Sequence, residues 1–303
     1  LFVLSIPRGP LCKAIQFVIP TLALIVTRVT AHFARSYVKF LHADALVLHR
    51  DFYGTLGVKQ EAATDPDPMR RLVHGMINHG AQLIEPERRM QPASYFGPSS
   101  GIARALDFYG GRPPRIGVVG LGIGAFLGYA KTGATFRIYE LDPSVEQLAR
   151  QYFWFLGGTP AKTEVIIGDG RLNLERDPPQ NFDLLSLDAF SSDAIPVHLM
   201  TREALRLYRR HIQPDGVIVF NVTNRFLRLA PLLQEIARAE GMHAILIADD
   251  PSEDTLNSTQ YVLVTSSAKL LADARFSDHV PIQSTRRIKP WTDDFSSLFD
   301  VLK

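Results

Sequence analysis

From Arg115 onward, short apolar stretches alternate with amphipathic ones, and each of the first four ends in a glycine turn or an acid. The stretches RIGVVG, FRIYELD, TEVIIGD, FDLLSLD, GVIVFNV, HAILIAD and QYVLVTS have the length and the β-branched content of strands. Between them the pattern predicts helices over Gly124–Lys131, Ser144–Leu156, Val197–Ile212 and Leu227–Glu240, with Pro143 suited to the first turn of the second. Regular strand–helix alternation points to a mostly parallel sheet with helices on both faces.

The residues before Arg115 read differently. Asp51–Lys59 (DFYGTLGVK) is strand-like with a glycine bend, Thr64–Pro68 (TDPDP) is a tight turn, and Leu72–Ile84 returns as strand pieces around Gly75 and Gly80. This is the pattern of a small unit of hairpins. The chain therefore divides into an apolar and basic lead (1–45), a small β-rich domain (46–112) and an αβ domain (113–303).

In the lead, Ile15–Thr27 is an apolar run broken by Pro20 and bounded by Lys13 and Arg28. A bilayer span needs about 20 residues, so this run suits either the end of a membrane helix or a helix lying on a protein surface. No small-residue cleavage site follows it, which argues against a secretory signal.

Composition narrows the partners. Of 303 residues, 46% are hydrophobic and 21% charged, with a net charge of +2. That balance gives no nucleic-acid footprint. Arg202, Arg206, Arg209 and Arg210 cluster along one predicted helix and read as a solvated face. The single cysteine, Cys12, excludes an internal disulfide and a thiolate zinc site, and it fits a reducing compartment. His74 and His79 lack the carboxylate spacing of a metal site, so no metal is expected.

Candidate chemistry lies at four strand ends. The first strand runs into Gly120, Gly122 and Gly124, whose alternation lets backbone approach a ligand at a helix start, and the spacing Gly120, Gly122, Ala125 also fits a dinucleotide fingerprint. The second ends in Glu140, an acid suited to paired ribose hydroxyls, and in Asp142, which suits a helix cap before Pro143. The third ends in Asp169 and Gly170, a turn carboxylate or a reader of an exocyclic amine. The fourth ends in Asp188. In open αβ sheets ligands bind outside the carboxyl ends of the strands, so these four elements share one edge.

Several motifs resemble the spermidine synthase family, the polyamine aminopropyltransferases, in the branch fused to membrane helices. They are HGMINHGAQ (His74–Gln82), SYFGPSSG (Ser94–Gly101), VVGLGIG (Val118–Gly124), YELDP (Tyr139–Pro143), GDGRLNL (Gly168–Leu174), LDAFSSDAIPVHLMT (Leu187–Thr201) and WTDDFSSLF (Trp291–Phe299). The resemblance runs from about Leu48 to the C-terminus. It implies a Rossmann-like, methyltransferase-type fold preceded by a small β-hairpin domain. It also implies decarboxylated S-adenosylmethionine as co-substrate, a polyamine acceptor, a homodimer, and a cytoplasmic catalytic domain tethered to a membrane. By the same resemblance Glu140 holds the ribose, Asp169 with Gly170 reads the adenine, and Pro196 lines the adenosine side. Gln82 lies on the pocket lid, Tyr95 stands near the amine, Asp193 holds an ammonium and Asp188 takes the proton.

The chain departs from that pattern at three places. Ile123 stands where the family has an acid for the aminopropyl amine, Asp193 lies five residues after Asp188 instead of three, and Phe96 follows Tyr95. Other readings of the same edge are an S-adenosylmethionine methyltransferase, which the loss of an acid at Ile123 favours, and a non-catalytic polyamine sensor. An NAD enzyme leaves Asp169 and Asp188 without a task.

Overall fold

A computed structural model of the chain describes residues 10–75, 77–189, 196–284 and 288–303. They form two units, 1–45 and 46–303. In the first, helix α1 (Pro10–His42) runs through Pro20 without a break, and its apolar side chains from Val18 to Phe40 are exposed. Among the described residues no helix is long and apolar enough to cross a membrane. The apolar run at Ile15–Thr27 is therefore one part of a longer, basic helix, and the membrane-helix reading of the lead gains no support.

The second unit starts with an antiparallel sheet in the order β1 (Ala45–Arg50), β2 (Thr55–Gln60), β3 (Met69–His74) and β4 (Ile77–Leu83). The predicted glycine bend is the turn at Asp51–Gly54, and the TDPDP turn joins β2 to β3. Leu56, Val58 and Leu72 on this sheet are buried against Phe96, Ile123 and Phe126, so the small sheet and the large one share a core.

Helix α2 (Gly101–Phe108), capped by Ser100 Oγ, lies against the large sheet. That sheet is built from β5 (Arg115–Val119), β6 (Thr135–Glu140), β7 (Lys162–Ile167), β8 (Phe182–Leu187), β9 (Ile212–Asn221), β10 (His243–Asp249) and β11 (Thr259–Thr265). Its order is β10-β11-β9-β8-β5-β6-β7. The five strands from β9 to β7 are parallel, and β11 and β10 add antiparallel at one edge.

The near-continuous apolar strands now have a cause. Ile116, Val118, Leu184, Val217 and Val219 face one buried layer, while Val119, Leu185, Leu187, Ile218 and Phe220 face the other. A sheet covered on both faces needs apolar side chains at odd and even positions alike. The covering helices include α3 (Pro143–Tyr152), α4 (Phe155–Gly158), α5 (Gly170–Arg176), α6 (Arg202–His211), α7 (Ala230–Ala239) and α8 (Ala268–Leu271). On α6, Arg206, Arg209 and Arg210 are exposed, and Arg202 and Arg206 both pair with Glu240 beyond α7.

All four predicted helices are shorter than their patterns, Leu227–Glu240 being trimmed to α7, Ala230–Ala239. Gly124–Lys131 is only a 3-10 turn, Ala125–Tyr129. A Cβ on Gly128 would lie 2.5 Å from Met90 O, so this segment is pressed against the preceding loop. Ser144–Leu156 splits into α3 and α4, because Phe153 turns extended as it enters the core beside Phe155. Val197–Ile212 is a 3-10 turn at Val197–Leu199 followed by α6, whose start is fixed by Thr201 Oγ1 accepting from Ala204 N–H.

Candidate active site

Strand register assembles the site. Val119 lies opposite both Tyr139 and Leu187, Glu140 opposite Ile167, and Leu187 opposite Phe220. The residues just beyond these positions, Gly120, Gly168, Asp188 and Asn221, therefore share one edge with Glu140. Gly120, Glu140 and Asp188 border a cleft holding about 860 Å³ of space, part of it open to solvent. Gly120, Gly122, Glu140, Asp169, Gly170, Asp188 and Pro196 all line it. Gly124 stands one step back, in the left-handed region at the start of the 3-10 turn.

The glycines are required by contact as well as by turn geometry. Gly120 has φ +99°, and a Cβ there would sit 2.4 Å from Asp188 O. A Cβ on Gly122, φ +52°, would sit 2.8 Å from His79 O. Side chains at either position would collide with neighbouring backbone, so glycine lets the loop pack this closely.

Glu140 is buried, at 8% exposure. Its Oε2 accepts from Leu121 N–H at 2.8 Å and its Oε1 from Asp142 N–H at 2.9 Å. Burial raises its pKa, and those two backbone donors partly offset the rise. A carboxylate has about four acceptor positions, so two remain for hydroxyls. Asp142 does serve as the cap of α3, accepting from Ser144 N–H at 2.8 Å. It borders the cleft as well.

Asp169 caps α5 through Oδ1, which accepts from Leu172 N–H at 2.9 Å, and its Oδ2 faces His198 Nε2 at 3.0 Å. The turn and ligand readings of this acid are thus compatible, since one oxygen serves each. Pro196 opens the 3-10 turn that carries His198.

Asp188 is the most perturbed acid of the edge. Partial burial at the cleft pushes its pKa up to about 7, with the hydrogen bond from Asn221 acting against the rise. Asn221 Nδ2 donates to Asp188 Oδ1 at 2.8 Å. Tyr95 is held well above its ordinary value, first by burial and then by the charge of Asp188. Tyr261, raised by burial and by the same acid, donates its hydroxyl to Tyr95 O at 3.2 Å.

Of the described sequence candidates, Gln82, Tyr95 and Gly124 do not line the cleft. Gln82 is buried beside it: Nε2 donates to Arg89 O at 2.8 Å, and Oε1 accepts from Trp154 N–H at 3.1 Å. Its amide ties β4 to two loops. Asp193 lies outside the described residues. Three residues enter unannounced by sequence. Tyr53, on the β1–β2 turn, and His198 line the cleft, and Asn221 holds Asp188. Asn221 carried a signal, a polar residue at the carboxyl end of an apolar strand, whereas Tyr53 did not. His79 lines the cleft with its pKa pushed down to about 4 by burial beside His74, so it is neutral at neutral pH. Among the described residues no cluster of side chains suits a metal ion.

Comparison with known proteins bears on this edge. No family model matches the chain. A polyamine aminopropyltransferase of Vibrio vulnificus is 37% identical over 115 residues, 36% of this chain and 38% of that protein. An N-terminal histidine N-methyltransferase of Emericella nidulans is 35% identical over 109 residues, 34% of this chain and 19% of that protein. The chain thus spans well under half of the curated relatives it matches. Among solved structures, a probable spermidine synthase of Corynebacterium glutamicum superposes with a TM-score of 0.54 at 18% identity, over 72% of this chain and 79% of that one. The spermidine synthase of Thermotoga maritima gives 0.52 at 13% identity, over 83% and 82%. The fold is Rossmann-like, of the methyltransferase type, preceded by a four-stranded antiparallel sheet.

Proposed function

We propose that the chain transfers the aminopropyl group of decarboxylated S-adenosylmethionine to a diamine such as putrescine. The observation that carries this reading is Asp188: a carboxyl with a pKa near neutrality, at the strand edge, against the glycine loop. Support also comes from the Vibrio vulnificus relative and from a second one in Bifidobacterium longum, a probable polyamine aminopropyl transferase 31% identical over 83 residues.

In the proposed site the ribose hydroxyls take the two acceptor positions left on Glu140. Adenine meets Asp169 and Gly170, with Pro196 along its face. The acceptor arrives as an ammonium, since an alkylamine has a pKa of about 10.4. Asp188 holds that cation and accepts its proton, and Tyr95 stands beside it. The freed nitrogen attacks the carbon next to the sulfonium, the carbon–sulfur bond breaks, and its electron pair passes to sulfur. Because the leaving group is already cationic, the protein's tasks are alignment and exclusion of water. Asp193 is retained as a second site for ammonium. Gln82 acts in this scheme only by holding the loops behind the cleft.

The test is release of methylthioadenosine from decarboxylated S-adenosylmethionine in the presence of putrescine or other diamines. No release with any diamine would sink the proposal. The Emericella nidulans relative and Ile123, buried against Gly80, favour a second reading, methyl transfer from the intact donor. Tighter calorimetric binding of the intact donor than of the decarboxylated one would select it.

A homodimer and a tether to the membrane are part of the same proposal. For the tether, Arg28, His32, Arg35, Lys39 and His42 recur at three- and four-residue spacing along α1, opposite exposed Phe33, Tyr37 and Phe40. Such a helix suits an anionic lipid surface.

A further inference from the structure

The groove next to the cleft holds an ion pair that the proposed reaction does not use. Arg171 follows Gly170 on α5, and its side chain is only 11% exposed. It forks onto Asp293: Nη1 donates to Oδ1 at 2.8 Å and Nη2 to Oδ2 at 2.6 Å. The same Nη1 donates to His198 O at 2.7 Å. Asp293 also accepts from Thr201 Oγ1 at 2.7 Å. Its pKa is lowered, first by the bond from Arg171. A planar fork of this kind fixes direction as well as distance.

The main chain of His198 is thereby pinned, and its imidazole reaches Asp169 Oδ2. The other oxygen of Asp169 caps α5. One acceptor position is left on each oxygen to read a base, and His198 sets how Oδ2 can be approached. We propose that Arg171 and Asp293 are positioning residues, a clasp that holds His198 against Asp169 and makes the C-terminal turn part of the nucleobase end of the cleft. The proposal rests on the adenosyl-donor reading above. Its chemical content is selectivity for a 6-amino purine, whose amine can donate to Asp169, over a 6-oxo purine, whose oxygen meets a carboxylate.

The experiment is calorimetry of the full chain with methylthioadenosine and with methylthioinosine, alongside steady-state kinetics. The wild type should prefer methylthioadenosine. Asp293→Asn should weaken methylthioadenosine binding about tenfold while leaving methylthioinosine nearly unchanged, so that the preference collapses. Donor KM should rise with little change in kcat. Arg171→Lys keeps the charge but loses the fork and should act in the same direction. Glu175→Gln removes a partner 3.2 Å from Arg171 Nε that does not touch the turn, and it should change neither affinity. An unchanged preference in both clasp variants, whatever their melting temperatures, would overturn the proposal. So would an equal loss in Glu175→Gln. A wild type that binds methylthioadenosine without preferring it over the 6-oxo analogue overturns the clasp alone. A wild type that binds neither nucleoside overturns the donor reading and the clasp with it.

Discussion

Asp188→Asn separates what the acid costs the fold from what it does in the site. Burial lifts its carboxyl from 3.8 to about 7. At 1.36 kcal/mol per pKa unit, that difference is worth on the order of 4 kcal/mol. The folded state binds this proton more tightly than the unfolded chain does. Stability from Asp188 is therefore fully present below pH 3.8 and is lost as pH rises through about 7. Asparagine keeps the shape, carries no charge, and can still accept the Asn221 Nδ2–H bond now at 2.8 Å. The variant should match the wild type in acid, then exceed it by ~1.6 kcal/mol at pH 5 and by ~4 kcal/mol at pH 8. These are upper bounds, because the cleft admits water. Urea unfolding at the two pH values measures the difference. A stability gain that is the same at pH 5 and pH 8 would refute the claim that a buried charge is the cause. In the same variant turnover should fall by roughly 10²–10⁴, the usual contribution of a positioned base, while methylthioadenosine still binds.

Two further outcomes concern neighbouring contacts. Asn221→Ala removes a hydrogen bond that favours the charged form of Asp188, so the acid limb of the pH–rate profile should move to higher pH; an unmoved limb would contradict the assigned contact. Gly120→Ala forces a side chain at φ +99° to within 2.4 Å of Asp188 O. It should lose about 2 kcal/mol or more and most nucleoside affinity, as read by urea unfolding and by calorimetry.

The αβ core was legible because burial on both faces leaves a strong trace. Strands such as RIGVVG and FDLLSL are largely apolar at odd and even positions alike, and the strand ends carry Gly120, Glu140, Asp169 and Asp188 in chain order. The hairpin unit was legible from its turns. Helix ends were not, because tertiary contacts decide them. Phe153 leaves α3 to enter the core, and Gly128 is pressed against Met90. The partners of the site residues were also hidden. Asn221 meets Asp188 across 33 positions, and Asp293 meets Arg171 across 122. No local pattern marks such pairs, and the amide of Gln82 is consumed by backbone groups for the same reason.

The carbonyl of Asp188 occupies the place that a side chain on residue 120 would need. The turn at Gly120 and the turn at Asp188 are therefore one interlocked piece. Descendants of this chain cannot vary one without the other. Room for divergence lies elsewhere, in the loop from Pro196 to Thr201 and in the turn around Asp293, where bonds run through exchangeable side chains. New acceptors or bases would be acquired there, by replacing the rim while the two fastened turns stay as they are.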